Sequence, residues 1–423
     1  MSLTLFRKVV LFGCWLVPPF LWGGDWLGWR GPTGQGLTDD KNLPTTWSKE
    51  GENLLWKVPL PGNGKGDRRD LNQSSPIIVK NRVIITASFW PKGQDATQAI
   101  PEHHIVCYDL EKGALIWDIQ AKPGPWLLKD LRGGYTAPTP ASDGDRVYVV
   151  FGSSVLAAFD LEGKSLWRKE ITPFDFDVAL GASPVLVGDL IVLQCDGVRR
   201  TSRLLAFDKK TGNIVWERKR PHNDFCHSTP TLVQLGGKKQ LLVAGSNSLE
   251  GVDPRDGSIL WSFASKGDTV SPVMEGGLVY IDSGRGGPAF GIDPNGKGDI
   301  TQTNQHWKIN QVPEGLSSPV LFGDLLYRLH HPGMLSCRSG KDGSLHYAER
   351  LAGISTTSSP IITADGTLYL ANAGKSYVIK PGPKLNILAT MDLGDSAPSS
   401  PAVSNGKILL KGNQFLFCVG NKR

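Results

Sequence analysis

The residues able to bind or react in this 423-residue chain crowd into a few loops. Arg132, Arg199, Arg200 and Arg285 carry planar guanidinium groups, which grip a carboxylate or a sugar acid through paired N–H donors. His227 and His330 offer imidazoles for acid–base work or metal ligation. Asp196 and Asp282 would ligate Ca2+ or act as a base, and Asn247, Lys375 and Asn413 add further polar contacts. Each type also has a plainer reading. A loop arginine is solvated or paired with a nearby Asp, a lone loop histidine sits on the surface, and Asp beside Gly shapes a turn. No H-E-x-x-H, G-x-S-x-G, phosphate-loop or dinucleotide-binding pattern is present to promote these residues to a catalytic set.

The elements that must position them are repeats. Ala206 to Trp216, AFDKKTGNIVW, reads as strand, tight turn, strand: Asp208 bonds its own backbone and Gly212 accepts a positive φ. Related stretches run from Cys107 to Trp117, Ala158 to Trp167 and Gly251 to Trp261, with degenerate copies from Gly291 to Trp307 and Cys337 to Tyr347. A Ser/Thr/Ala-Pro step opens an apolar strand at Pro76, Pro138, Pro184, Pro230, Pro272, Pro319, Pro360 and Pro401. After a long first interval, which carries insertions, these steps recur at close to the ~40–45 residues of a four-stranded propeller blade. The last unit ends after its third strand. Asn53 to Pro59, NLLWKVP, has the tryptophan of a fourth strand and is expected to pair there, giving eight blades with no open edge. The expected fold is therefore all-β, an eight-bladed propeller over residues 53–423, with an irregular Trp-rich arm at 25–52. Trp117, Trp167, Trp216 and Trp261 are expected to be buried between blades.

Lys and Arg number 46 against 40 Asp and Glu, a formal charge of +6 scattered along the chain without a basic run, which argues against nucleic acid as a partner. Arg7 and Lys8 precede the apolar run Val9–Trp22 and Gly23-Gly24, so residues 1–24 read as a secretory signal or an uncleaved anchor, the one segment expected to touch a membrane. Cys107, Cys195, Cys226, Cys337 and Cys418 then remain, an odd and irregularly spaced set that is no disulfide framework. Cys195 and Cys226, which neighbouring blades would bring to the same face, are expected as two separate thiols, and they are the one pair for which a disulfide is the alternative.

The repeat resembles the signature A-x-D-x-x-x-G-x-x-x-W of the pyrroloquinoline-quinone-like (PQQ-like) repeat propellers: Ala206, Asp208, Gly212 and Trp216 match throughout. Trp29-Arg30-Gly31-Pro32, Leu43-Pro44 and Trp47 are similar to the opening of stand-alone bacterial members. The family includes quinoprotein dehydrogenases and the outer-membrane assembly factor BamB. The resemblance implies a bacterial, extracytoplasmic, periplasmic protein, expected as a monomer. Its ligand site would lie at the mouth of the central channel, where the eleven residues above are expected to gather. One reading is a binding or assembly propeller for an envelope protein or a small polar or anionic ligand. The other is a PQQ-dependent dehydrogenase of alcohols or sugars using PQQ and Ca2+, although the adjacent cysteine pair of many such enzymes is missing.

Overall fold

A computed structural model describes residues 24–63, 67–171 and 178–422. The expected leader lies outside the described residues except for Gly24. Eight antiparallel four-stranded blades form a ring, and no helix occurs among the described residues. In the third blade, strands A to D are Val185–Val187, Leu190–Cys195, Arg203–Asp208 and Ile214–Lys219, paired in that order from the channel outward. Strands B and C lie between neighbouring blades and bury both faces, which is why they read as unbroken apolar runs. Strand D is the outer edge and alternates between half-buried and exposed positions.

The repeat signature is a docking device. Asp208 Oδ1 accepts the backbone N–H groups of Lys210 and Thr211 at 3.1 and 2.8 Å and so builds the C–D turn. Beyond it the pairing slips by one residue, and Ala206 comes to lie opposite Trp216. A small residue faces the large ring in other blades as well: Cys107 opposite Trp117, Ala158 opposite Trp167, Cys337 opposite Tyr347. Blade seven keeps the fit by exchanging sizes, with Val378 opposite Ala389. Each indole then reaches the next blade. Trp167 Nε1 donates to Lys209 O at 3.0 Å and Trp216 Nε1 to Pro254 O at 3.1 Å. At Gly212 φ is +68°, and a β-carbon there would stand 2.6 Å from Trp167 Cε3, so glycine is required twice over. Trp261 departs from the pattern. Residues 293–304 enlarge the C–D turn of blade five, and the Trp261 indole bonds Gln240 Oε1 at 3.1 Å instead.

Blade eight takes its outer strand from the N-terminal side, as expected: Leu54–Pro59 pairs antiparallel with Phe415–Gly420, with Trp56 opposite Cys418. The insertion in blade five also covers an edge, since Gly298–Asp299 adds in parallel to the outer strand of blade four. The arm does more than lie on the body. Trp26 exchanges backbone bonds with Ile78 in blade one, and Leu27 O accepts from Ser142 N in blade two. Gln35 Oε1 accepts from Met274 N in blade five, and Leu37–Thr38 pairs in parallel with Ile362–Thr363 in blade seven. All these partners are on innermost strands, so the arm crosses the end of the channel where those strands finish.

At the other end of the same strands runs a closed circle. The N–H of Ser75 donates to Thr139 Oγ1, and the series continues through Ser183, Thr229, Ser271, Ser318, Ser359 and Ser400 back to Ser75, each bond 2.9–3.1 Å long. Every member is the residue before the proline that opens strand A. In blade two this places the step at Thr139-Pro140 and not at the expected Pro138, because Thr139 carries the hydroxyl that the circle needs and Ala137 does not.

Tryptophan burial differs from the expectation in degree. Trp261 is 1% exposed, whereas Trp117, Trp167 and Trp216 are half-buried, since strand D leaves one edge of each ring at the surface. Trp261→Ala should cost ~3–5 kcal/mol and Trp216→Ala about 2–3 kcal/mol in urea unfolding. A Trp216→Ala variant as damaged as Trp261→Ala would contradict this ordering.

Candidate functional site

The D–A and B–C connections share the face on which the hydroxyl circle opens. There a cavity of about 560 Å³ descends along the channel axis. Its throat is made by Ser75, Thr139, Ser183, Thr229, Ser359 and Ser400, and Trp29 from the arm contributes to its lining. Phe225, Gln73 and a polar group of Arg132, His227, Asp268 and Arg285 complete it. The arginines are engaged. Arg285 Nε meets Asp268 Oδ2 at 2.6 Å and its Nη1 meets Glu314 Oε1 at 3.3 Å. Arg132 Nη2 meets Asp130 Oδ2 at 2.5 Å. The His227 ring stands edge-on to Phe225 with centroids 4.3 Å apart, and its backbone N–H donates to Asp268 O. Burial pushes the His227 imidazole down to about 4, Asp268 working against it and Arg285 with it, so the ring is neutral at pH 7.

Of the eleven residues expected at the mouth, the cavity gathers Arg132, His227 and Arg285. Asp196 is fully buried between blades three and four, in contact with Arg220, which also meets Glu250 Oε2 at 3.2 Å. Asp282 is likewise buried. Arg328 contacts it through Nε at 2.8 Å and Nη2 at 3.0 Å, Tyr280 Oη donates to it at 2.5 Å, and Gly284 N at 2.7 Å. Burial alone would raise the Asp282 carboxyl, but Arg328 and Tyr280 hold it below the ordinary carboxylate range. His330 is 2% exposed, with Nδ1 3.0 Å from Pro313 O and Nε2 3.1 Å from Ser336 Oγ. A carbonyl can only accept, so Nδ1 carries the proton. Arg199 and Arg200 occupy an exposed turn at positive φ. Asn247 is exposed and donates to His222 O at 2.7 Å. Asn413 is exposed at the top of blade eight and Lys375 half-buried in blade seven. Sequence reasoning missed Asp268, Phe225, Trp29 and the hydroxyl circle. The circle alone had a readable signal, the recurrent hydroxyl residue before proline.

The PQQ-and-Ca2+ expectation can be tested on the donors present. PQQ carries three carboxylates and is read with a metal ion beside it. The rim arginines already hold Asp130, Asp268 and Glu314. Among the described residues no three His, Cys, Asp or Glu side chains stand together as a metal-binding group. Arg132 and Arg285 are thus engaged by the protein's own carboxylates and are not free to take those of PQQ. Cys195 and Cys226 are both free and buried, which corresponds to two separate thiols.

The neutral His330 ties stability to pH. Burial lowers its pKa to about 4, with Arg328 adding to the effect, against about 6.5 in an unfolded chain. The unfolded state therefore takes up the proton first. This contribution, on the order of 3 kcal/mol, is present above pH 6.5 and lost as pH falls towards 4. The stability difference between wild type and His330→Asn should shrink between pH 7.5 and 4.5 in urea unfolding. A difference constant over that range would contradict the assignment.

By sequence, no curated protein matches the chain. Among solved structures, BamB from Moraxella catarrhalis superposes with a TM-score of 0.61 at 12% identity, covering 88% of this chain and 98% of that one. A europium-containing methanol dehydrogenase superposes with a TM-score of 0.52 at 12% identity, covering 93% of this chain and 89% of that one. At such identity these likenesses concern the fold. The profile of the family described as outer membrane protein assembly factor BamB, PQQ-like in its repeat, matches residues 36–172 and 101–349, and the chain belongs to that family.

Proposed function

We propose that this protein is a non-catalytic binding or assembly propeller of the bacterial envelope, outside the cytoplasm, that receives a ligand or a partner segment at the channel mouth. One observation carries the reading. The carboxylates that would do acid–base or metal chemistry, Asp196 and Asp282, are locked against Arg220 and Arg328 inside the blades, while an open cavity of about 560 Å³ remains on the axis. A binding site needs shape and a few fixed polar groups, and the mouth has both, with Arg132 and Arg285 fixed by ion pairs. The family description, an outer membrane assembly factor, and the neighbour named BamB support an envelope protein as partner. The apolar run behind Arg7 and Lys8 supports export.

The competing reading, a quinone-dependent dehydrogenase, draws on the methanol dehydrogenase neighbour and on Trp29 lining the cavity, a flat surface for a planar ring. Two measurements separate them. Reconstitution with PQQ and Ca2+ followed by dye-linked oxidation of alcohols and sugars should give no turnover, and stoichiometric quinone binding with turnover would overturn the proposal. A tagged chain should capture an envelope protein that an Arg132→Glu/Arg285→Glu variant, folded by circular dichroism, no longer captures. Capture unaffected by the double substitution would place the binding surface elsewhere.

A further inference from the structure

The mouth cavity is polar, yet its charges are already matched. Arg132 is held by Asp130, and Arg285 by Asp268 and Glu314. The His227 imidazole is neutral at pH 7. What remains is hydroxyl. Ser75, Thr139, Ser183, Thr229, Ser359 and Ser400 all line the cavity. Each of these oxygens accepts a backbone N–H from the neighbouring blade, and among the described residues none gives its own hydrogen to a protein acceptor. A hydroxyl that accepts one bond keeps a second lone pair and a rotatable hydrogen. The throat therefore presents donors and acceptors alike, from several blades, to whatever stands on the axis.

Below and above the circle the walls are apolar. Trp29 lines the cavity from the arm. Arg30 Cζ lies over one face of that indole, 5.6 Å from the ring centroid, which leaves the other face to the cavity. On the mouth side stand Val178, Ala179 and Phe225, whose ring meets His227 edge-on.

A flat apolar floor beneath a ring of hydroxyls is complementary to a ring with C–H faces and hydroxyls around its perimeter. The polarised C–H groups meet the negative face of the indole, and the perimeter hydroxyls exchange hydrogen bonds with serine and threonine on all sides. A charged ligand would give up its hydration among groups that are already paired. An extended peptide carries its donors and acceptors along two edges and would leave much of the circle unused.

We propose that the mouth cavity binds a neutral saccharide, with its terminal pyranose ring on Trp29 within the hydroxyl circle and the following sugar against Phe225. The cavity, at about 560 Å³, lies within the ordinary size range of small-ligand sites. This rests on the binding reading given above and names its ligand, which is held and released unchanged.

The test is calorimetric titration of the whole chain with glucose, N-acetylglucosamine, maltotriose, cellotriose and triacetylchitotriose as separate probes. At least one should bind with one equivalent. Its affinity should change by less than about twofold between about 50 and about 500 mM NaCl, because no charge is matched on binding. Trp29→Ala should bind the same sugar about tenfold or more weakly. No saturable binding of any of these probes below about 20 mM, or equal binding by the folded variant, overturns the proposal. Glucuronate bound more tightly than glucose and released by salt overturns it too, since the rim arginines would then be the receptor. If Trp29→Ala does not fold, wild-type crystals soaked in the bound sugar decide. A sugar ring against Trp29 supports the site, and sugar only elsewhere overturns it. Envelope-protein capture that persists without saccharide binding refutes this inference alone. Saccharide that binds at Trp29 and is oxidised in the dye-linked assay supports the site and refutes the non-catalytic reading.

Discussion

Eight hydrogen bonds of one kind hold the blades to a common axis. A propeller packs neighbours side by side, and side-by-side apolar contacts allow sliding and splaying. A backbone N–H that must reach the hydroxyl of the next blade does not. It fixes the height of each inner strand against its neighbour, and because the series returns from Ser400 to Ser75 no blade can shift without breaking bonds on both sides. The sequence rule follows from chemistry: a small hydroxyl residue must accept, and the next residue is proline, which has no N–H to leave unpaired at the channel wall. At the rim, the Trp-to-turn contacts do the complementary task from outside, and the N-terminal strand in blade eight closes the circle covalently through the chain.

Between the circle and the outer strands lies a layer of buried charge. Asp196 with Arg220, Glu250 and Arg218 joins blades three and four, and Asp282 with Arg328 joins five and six. Lys411 in blade eight donates to Ser74 Oγ at 2.8 Å and Thr86 O at 3.3 Å in blade one, while burial pushes its ammonium down to about 7. Such groups contribute little net stability over an apolar filling, but a mispaired neighbour would leave a bare charge, so they fix which blade meets which. That role explains why the mouth holds fewer reactive side chains than its loops suggest.

The blades were legible because each repeats a local rule. Asp208, Gly212 and Trp216 act within one turn and one contact, so spacing reveals them. The borrowed strand was legible from a missing element and a spare tryptophan. The site was not. Asp196 precedes Gly197 and reads as a hairpin tip, yet its partner Arg220 and the adjoining Glu250 come from a later connection and from the next blade, which no local pattern marks. His330 and Asp282 disappear into blade interfaces for the same reason. Trp29 and Arg30 stand in an arm with no periodicity, and their place on the axis follows from backbone bonds to innermost strands far along the chain.

Native-state hydrogen exchange of the circle amides tests the central claim directly. The N–H groups of Ser75, Thr139, Ser183, Thr229, Ser271, Ser318, Ser359 and Ser400 should exchange together, at the free energy of global unfolding, since opening any one link requires a blade to leave the ring. Exchange of even one of these amides at the rate of an exposed loop, with the blades still folded, would contradict the account.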